Sequence, residues 1–180
     1  IRLAKLNTSF RPTSQSEGVG AKVQRIIGTQ QMRNCDPFLM LDYFRVRLPS
    51  GFPDHPHRGF ETVTYMKEGV VLHEDFKGHK GRLEPGDVQW MTAGKGIVHA
   101  EMPESRTKDS VGFQLWLNLA QKDKMCDPRY QEFRSTEIPH VKQDGLQAKV
   151  ISGQVLGVNG VIVARTPTHY IDFVLEANKR

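Results

Sequence analysis

Two pairs of metal-binding side chains stand out in this sequence. His55 and His57 are separated by a single proline, and His99 and Glu101 are separated by a single alanine. In an extended strand, residues two apart point to the same face, so each pair directs both of its side chains at one point. If the two strands are neighbours, the pairs predict a metal site of three imidazoles and one carboxylate.

The donor set restricts the metal. Imidazole nitrogens and carboxylate oxygens suit Fe, Mn, Ni, Cu and Zn, and the absence of a thiolate argues against a structural zinc cage. Four protein ligands on an octahedral metal leave two positions open for water, dioxygen or a chelating substrate. Glu61 is a second candidate carboxylate, because it keeps the parity of the first histidine pair if the extended chain continues past Gly59.

The rest of the sequence favours strands to position these pairs. Short apolar or alternating runs are punctuated by Gly and Pro turns, and helical periodicity is weak throughout. From Phe113 to Leu119, apolar side chains share one face at every second position, as in a half-buried strand. Short strands about 8–12 residues apart predict an all-β, antiparallel sandwich or barrel. Later strands are predicted over residues 146–152, 160–165 and 169–175.

Length and composition bound the class of protein. The chain has 180 residues, of which 38% are hydrophobic and 25% are charged, and it contains only two cysteines. Such a chain can bury a core without disulfides, so a disulfide-rich scaffold and a disordered protein are excluded, and a reducing, intracellular compartment is expected. No stretch approaches the roughly 20 apolar residues of a membrane span, so no membrane role is expected.

The net charge of +5 is concentrated at one end of the chain. Residues 1–60 contain nine Lys or Arg and four acidic residues, whereas the remainder contains sixteen of each sign. A basic surface favours an acidic partner protein, a phosphate-bearing ligand or nucleic acid, and a solubilising face is the plainer alternative. Because no RNP, zinc-finger or basic-helix motif accompanies the charge, direct sequence-specific nucleic-acid binding is not expected.

A series of short motifs runs through nearly the whole chain. In order, they are residues 15–21 (QSEGVGA), 36–39 (DPFL), 51–63 (GFPDHPHRGFETV), 73–76 (HEDF), 85–87 (PGD), 89–94 (QWMTAG), 99–103 (HAEMP), 115–116 (LW), 151–153 (ISG) and 165–167 (RTP). By these motifs the sequence resembles the pirins, metal-binding members of the cupin superfamily. The resemblance implies a cupin-type antiparallel β-barrel, the double-stranded β-helix or jelly roll.

The resemblance also implies a ligand set. In pirins the metal is usually iron (Fe²⁺ or Fe³⁺), and its ligands fall here on His55, His57, His99 and Glu101. Many cupins use as a ligand the glutamate that corresponds to Glu61. Because the pirin pattern takes Glu101 instead, we expect Glu61 to be an inward-facing acid beside the metal.

Length distinguishes this chain from the pirins it resembles. Pirins contain two barrels, and this chain ends before a second barrel would be complete. We therefore expect residues 1–134 to form the N-terminal cupin barrel that carries the metal site. Residues 135–180 are expected to be the start of an incomplete second cupin-like domain or an extension packed on the first barrel.

The function implied by the resemblance is that of a quercetinase-type dioxygenase dependent on a divalent metal. A flavonol would chelate the metal, dioxygen would attack the activated ring, Glu101 would accept the flavonol proton, and Glu61 could assist as a base. The alternative is a non-enzymatic, iron- and redox-sensing cofactor, nuclear and cytoplasmic, that binds transcription regulatory proteins through the basic N-terminal surface. A third hypothesis is a structural cupin whose metal stabilises the barrel.

Other residues with chemical potential are expected to be structural. His73 and His79 flank a turn-rich segment and are expected at the surface or in hydrogen bonds. Trp90 and Trp116 are expected to pack the barrel, although one of them could line a pocket for an aromatic ligand. The remaining candidates, expected to be structural or exposed, are His140, His169, Cys35 and Cys126.

Overall fold

The computed structural model describes residues 9–33 and 35–177, and its regular structure is almost entirely β. The predicted all-β class is therefore confirmed. One 3-10 turn, at Gln121–Asp123, is the single helical element in those ranges, and none of their helices is long and apolar enough to cross a membrane. The strands are β1 (Ser14–Glu17), β2 (Ala21–Ile27), β3 (Phe38–Val46), β4 (Phe52–His57), β5 (Phe60–Glu68), β6 (Val71–Asp75), β7 (Lys80–Leu83), β8 (Val88–Thr92), β9 (Ile97–Pro103), β10 (Ser110–Asn118), β11 (Arg129–Phe133), β12 (His140–Gln143), β13 (Leu146–Ser152), β14 (Gln154–Val155), β15 (Val158–Asn159) and β16 (Tyr170–Leu175).

The first eleven strands form a barrel of two antiparallel sheets. The larger sheet has the strand order β1-β2-β3-β10-β5-β8-β11, and the smaller has the order β4-β9-β6-β7. Contacts between the sheets show that they face each other. Thr64 of β5 donates a hydrogen bond to Glu101 of β9, and the His57 ring of β4 lies 5.3 Å from the Trp116 ring of β10.

Alternation along the central strands divides side chains between the barrel interior and an outer core. On β10, Gln114 and Trp116 point into the barrel, whereas Leu115 and Leu117 point away from it. The outward set packs against the C-terminal segment, and side chains of both form the outer core: Val63, Tyr65, Val88, Trp90, Leu115, Leu117, Ile138, Ile151 and Ile162. Each large apolar side chain buried in this way stabilises the fold by about 1.5–3 kcal/mol.

The C-terminal segment packs on the outer face of the larger sheet. Its main element is an antiparallel sheet of order β12-β13-β16. Tyr65 and Lys67 of β5 both donate hydrogen bonds to Asp172 of β16, at 2.7 and 2.8 Å. These polar contacts fasten the segment beside the outer core.

Two of the three late strands agree with the sequence prediction. β13 and β16 coincide with the runs predicted near residues 146–152 and 169–175. The strand predicted over residues 160–165 is wrong. Only Ile162 forms a β-bridge there, to Ser152, because its side chain anchors the outer core while the flanking chain bends away.

Candidate metal centre

Strand pairing brings three histidines together. β4 and β9 are antiparallel neighbours, and their register places His55 opposite His99. With His57, two residues along β4, the three rings have centroid separations of 4.6, 4.7 and 5.0 Å. One ring nitrogen from each histidine lies within 4.8 Å of the other two. We call this group the tri-histidine cluster.

The ring nitrogens of the tri-histidine cluster are short of protein partners. His55 Nδ1 lies 2.9 Å from the Pro53 carbonyl oxygen, which places the proton on Nδ1 and leaves Nε2 free to bind a metal. His57 Nε2 and both ring nitrogens of His99 are buried and have no hydrogen-bond partner among the described residues. Buried polar atoms without partners are rare, and a metal ion would satisfy these nitrogens. The donor set therefore fits a metal.

Burial keeps two of these imidazoles neutral. Desolvation, assisted by the neighbouring rings of His99 and His55, lowers the pKa of His57 to about 3. Desolvation also lowers the pKa of His99. Neutral imidazole is the form that ligates a metal, so both side chains are in the ligating form at neutral pH.

Glu101 stands beside the tri-histidine cluster. Its Oε2 lies 3.8 Å from His99 Nε2. The three histidines place their ligand atoms within 4.8 Å of one another, but Glu101 is not part of this group. The carboxylate instead accepts hydrogen bonds from Thr64 Oγ1 at 2.8 Å and from Gln114 Nε2 at 3.4 Å. These two donors belong to the facing sheet and hold the carboxylate at the edge of the cluster.

Thr64 and Gln114 are site residues that none of the sequence motifs indicated. Both side chains point into the barrel. The residues next to them on β5 and β10 point the other way and belong to the outer core, as the alternation of a strand requires. A polar residue on the interior face of a central strand is a signal that could have found them.

The structure corrects the predicted position of Glu61. Gly59, between β4 and β5, has a φ of +78°, and at this turn the chain passes from the smaller sheet into the larger one, so the parity of β4 is lost. On β5, Thr64 points at Glu101, and Glu61, an odd number of residues away, faces the outer core. There it accepts a hydrogen bond of 2.6 Å from Thr92. The expectation of an inward-facing acid at Glu61 is therefore wrong.

A cavity of about 510 Å³ opens beside the tri-histidine cluster. His55, His57 and Glu101 line it, and so does Trp116, which thus occupies a pocket wall. Trp90, by contrast, is fully buried in the outer core, as expected. Apolar side chains contribute much of the remaining wall: Val23, Met40, Phe44, Val46, Phe52 and Val71.

One arginine also lines this cavity. Arg25 forms ion pairs with Asp42 at 2.8 Å and with Glu17 at 2.7 Å. Contacts with Asp42 and Glu17 outweigh desolvation and raise the pKa of Arg25, so the guanidinium is permanently charged and locally neutralised. It is a wall of the cavity and not part of an open basic surface.

The basic N-terminal surface is accordingly smaller than the sequence suggests. Arg25 is largely buried in its ion pairs, and Arg45 is paired with Asp109 at 3.2 Å. Five other members of the predicted surface remain exposed: Arg11, Lys22, Arg33, Arg47 and Arg58. Two further members of the predicted surface lie outside the described residues: Arg2 and Lys5.

A second group of potential ligands lies on β6, β11 and the turn that follows β6. His73, His79 and Glu132 each offer one ligand atom, and these atoms all lie within 4.8 Å of one another. We call this group the His73 cluster. His73 was expected at the surface or in hydrogen bonds; it is not at the surface, because its side chain is fully buried, and its Nε2 lies 2.9 Å from Glu132 Oε1. Val71, His73 and Asp75 share the buried face of β6, although the sequence of this strand has no apolar alternation that marks His73 as buried.

Comparison with known proteins identifies the family. The Pirin family model matches residues 20–117, more than half of the chain. The chain belongs to the pirin family. Pirin from Homo sapiens is 54% identical over 173 residues, an alignment that covers 96% of this chain and 59% of that relative. This pirin chain thus spans little more than half the length of its curated relative.

Solved structures share the fold of this pirin chain. GK1651 from Geobacillus kaustophilus has a TM-score of 0.86 and 34% sequence identity, covering 96% of this chain and 68% of its own. A quercetin 2,3-dioxygenase from Acinetobacter baumannii has a TM-score of 0.79 and 32% identity, covering 91% of this chain and 61% of its own. Because pirins are cupins, the predicted cupin-type fold is confirmed.

Proposed function

We propose that this pirin chain carries the metal centre of a quercetinase-type dioxygenase. The observation that carries the proposal is the tri-histidine cluster: buried nitrogens of His57 and His99 lack partners among the described residues, and the rings of His55 and His57 line a cavity of about 510 Å³. A cavity of this size suits a small aromatic ligand such as a flavonol. The likeness to a quercetin 2,3-dioxygenase at 32% identity supports the same reaction class.

The metal would be held by His55, His57 and His99, with Glu101 as the proposed fourth ligand. We propose iron, although Mn, Ni, Cu and Zn accept the same nitrogen and oxygen donors. When bound, a divalent metal supplies Lewis acidity toward the oxygens of a chelating substrate.

Aromatic side chains beside the tri-histidine cluster would orient the substrate. The Trp116 ring lies 5.3 Å from the His57 ring and 4.8 Å from the Phe60 ring. Trp116 lines the cavity together with Phe44 and Phe52, and a planar flavonol can pack on this aromatic wall in an offset or edge-on arrangement. The apolar wall that includes Phe44 and Val71 would exclude water from the reacting ring.

Glu101 is the residue to which we assign proton transfer. It lines the cavity, and its Oε1 is occupied by the 2.8 Å hydrogen bond from Thr64. Its Oε2 has only the longer 3.4 Å contact with Gln114, so this oxygen is the freer one to accept the flavonol hydroxyl proton. Glu61, on the other face of β5, takes no part in this proposal.

We further propose that residues 1–134 are the metal-binding barrel and that residues 135–180 are either the start of a second cupin-like domain or an extension packed on the first barrel. The separate sheet formed by β12, β13 and β16 supports this division. Ile138 and Ile151 of the C-terminal segment pack in the outer core.

The two alternative functions share the metal but need no substrate. A redox-sensing cofactor needs a partner surface, and the ion pairs of Arg25 and Arg45 reduce the basic surface that was predicted for it. A structural metal needs no cavity lined by an aromatic wall and a carboxylate. The cavity is therefore the observation that favours the dioxygenase.

The decisive experiment measures dioxygen uptake by the iron-loaded chain in the presence of quercetin. We expect uptake by the unaltered chain and loss of both iron and uptake in His55→Ala, whose side chain is only partly buried. His140→Asn, at an exposed histidine outside both clusters, is the matched control and should retain both. Iron binding without uptake would contradict the reaction, and unchanged iron content in His55→Ala would contradict the site.

A further inference from the structure

The His73 cluster is built like a metal site and is separate from the tri-histidine cluster. His73 comes from β6, His79 from the turn before β7, and Glu132 from β11, so two sheets contribute ligands. His73 lies next to Glu101 in the pairing of β6 with β9, whereas His79 and Glu132 line none of the cavity beside the tri-histidine cluster. The two clusters therefore lie on different parts of one barrel.

The distances within the His73 cluster suit a shared metal ion. Glu132 Oε1 lies 2.9 Å from His73 Nε2 and 3.3 Å from His79 Nε2. Ligand atoms around a tetrahedral Zn²⁺, bound at about 2.0–2.2 Å, are about 3.4 Å apart. A zinc ion could therefore enter with only small movements of the three side chains.

The buried ring of His73 has unsatisfied nitrogens. Its side chain is fully buried, and neither Nδ1 nor Nε2 has a well-directed hydrogen bond in the described part of the chain, although Glu132 is close to Nε2. A buried imidazole whose nitrogens lack well-directed hydrogen bonds is costly, and a metal held between Nε2 and Glu132 would satisfy Nε2.

Neighbouring residues fix the positions of the ligands. Gln89 Nε2 donates a hydrogen bond of 2.7 Å to Glu132 Oε1 and so orients the carboxylate. Tyr130 stacks on both rings, at centroid distances of 5.9 Å from His73 and 4.3 Å from His79. Gly81 leaves room for the His73 ring, because a Cβ at position 81 would collide with Nε2. Such supporting contacts are typical of metal sites.

The cluster is open on one side. The side chain of His79 is 41% exposed and that of Glu132 is 29% exposed, whereas that of His73 is fully buried. A metal bound here would have a path from solvent and a fourth position facing water. Two histidines and one glutamate with an open position form a donor set that zinc adopts in proteins.

We propose that His73, His79 and Glu132 form a second metal site, which takes a zinc-like divalent cation and is independent of the tri-histidine cluster. Zinc titration of the metal-free 180-residue chain tests this directly. We expect two equivalents of Zn²⁺ per unaltered chain, and one in either His79→Asn or Glu132→Gln. We also expect one equivalent of Zn²⁺ in His55→Ala. The double variant His55→Ala/His79→Asn should lose this remaining equivalent.

Further measurements separate ligand loss from misfolding. His79 is part-exposed in a turn, so His79→Asn should keep the circular dichroism spectrum and unfolding midpoint of the metal-free chain. His140→Asn should keep both equivalents. Co²⁺ bound to the unaltered chain should give visible absorption bands from two sites, and the bands of one site should be absent in His79→Asn. Two retained equivalents in His79→Asn, or a single equivalent in the unaltered chain that His55→Ala abolishes, would overturn the proposal.

Discussion

The two histidine clusters use the same residue type in opposite electrostatic settings. In the tri-histidine cluster, burial and neighbouring rings lower the pKa of His57 to about 3, and the nearest carboxylate, Glu101, stands at the edge. In the His73 cluster, burial raises the pKa of Glu132, but the nitrogens of His73, Gln89 and His79 lower it overall to about 2. One cluster therefore presents neutral donors to a cavity, and the other holds a permanent anion at its centre.

This difference has a consequence for function. Each proposed donor set includes one carboxylate, but Glu101 stands at the edge of its cluster, whereas Glu132 lies between His73 and His79. Only the tri-histidine cluster adjoins the cavity, where a Lewis-acidic metal could meet a chelating substrate. We therefore assign substrate chemistry to the tri-histidine cluster and simple cation binding to the His73 cluster.

The largest effect expected is loss of the reaction when His99 is removed. His99→Ala deletes the ligand that lies opposite His55 in the strand pairing, so iron-dependent dioxygen uptake should fall by at least about 100-fold. His79→Asn, in the other cluster, should leave the uptake unchanged. Dioxygen uptake is measured with an oxygen electrode. An equal loss of uptake in the two variants would contradict the functional distinction between the clusters.

A stability effect should single out the His73 cluster. In Gly81→Ala the new methyl group meets the His73 ring, and such overpacking costs about 1–3 kcal/mol of unfolding free energy. Urea unfolding of the metal-free chain measures this cost. The variant should also bind its second zinc equivalent more weakly while the tri-histidine cluster keeps its metal. An unchanged unfolding midpoint would mean that the ring of His73 does not sit against Gly81.

Two threonines provide a matched test of the carboxylate beside the tri-histidine cluster. Thr64→Val removes a hydrogen bond to Glu101, and Thr92→Val removes one to Glu61. Each should lower the unfolding free energy by about 1 kcal/mol. Only Thr64→Val should also lower dioxygen uptake, by about tenfold, because Thr64 positions the proton acceptor. A comparable loss of uptake in Thr92→Val would restore a role for Glu61.

The smallest effect concerns a carboxylate remote from both clusters. Burial raises the pKa of Asp172, but hydrogen bonds from Lys67 and Tyr65 outweigh it and lower the pKa below 3.8. This stabilisation is present above the unfolded value of 3.8 and is lost as the pH falls through the lower folded value. Asp172→Asn should therefore flatten the acid limb of the stability curve slightly, without changing metal content. Identical curves for the variant and the unaltered chain would show that this contact does not contribute.

The features that could be predicted from the sequence are those that depend on the two-residue repeat of a single strand. The i, i+2 spacing placed His55 and His57 on one strand and His99 on another, and the Gly and Pro punctuation indicated an antiparallel barrel. Both follow from the two-residue repeat of a strand, which can be read without knowing the partner strands.

The sequence could not predict what depends on which sheet a strand joins. Glu61 is an even number of residues from His55 and His57, so an unbroken strand would point all three side chains to one face. The turn at Gly59 instead takes the chain into the facing sheet as β5, and Glu61 points away from the barrel interior. Likewise, His73 and Glu132 are 59 residues apart in sequence and meet only because β6 and β11 belong to sheets that face each other. Long-range pairing leaves no local periodic signal.

The central claim is that the tri-histidine cluster binds a metal whose remaining positions accept a chelating substrate. X-ray absorption at the iron edge of the iron-loaded chain tests it most directly, with and without quercetin. We expect three imidazole ligands, and we expect quercetin to replace water with its own oxygens and so to change the absorption edge and the first coordination shell. A spectrum without imidazole scattering, or one that quercetin leaves unchanged, would contradict it.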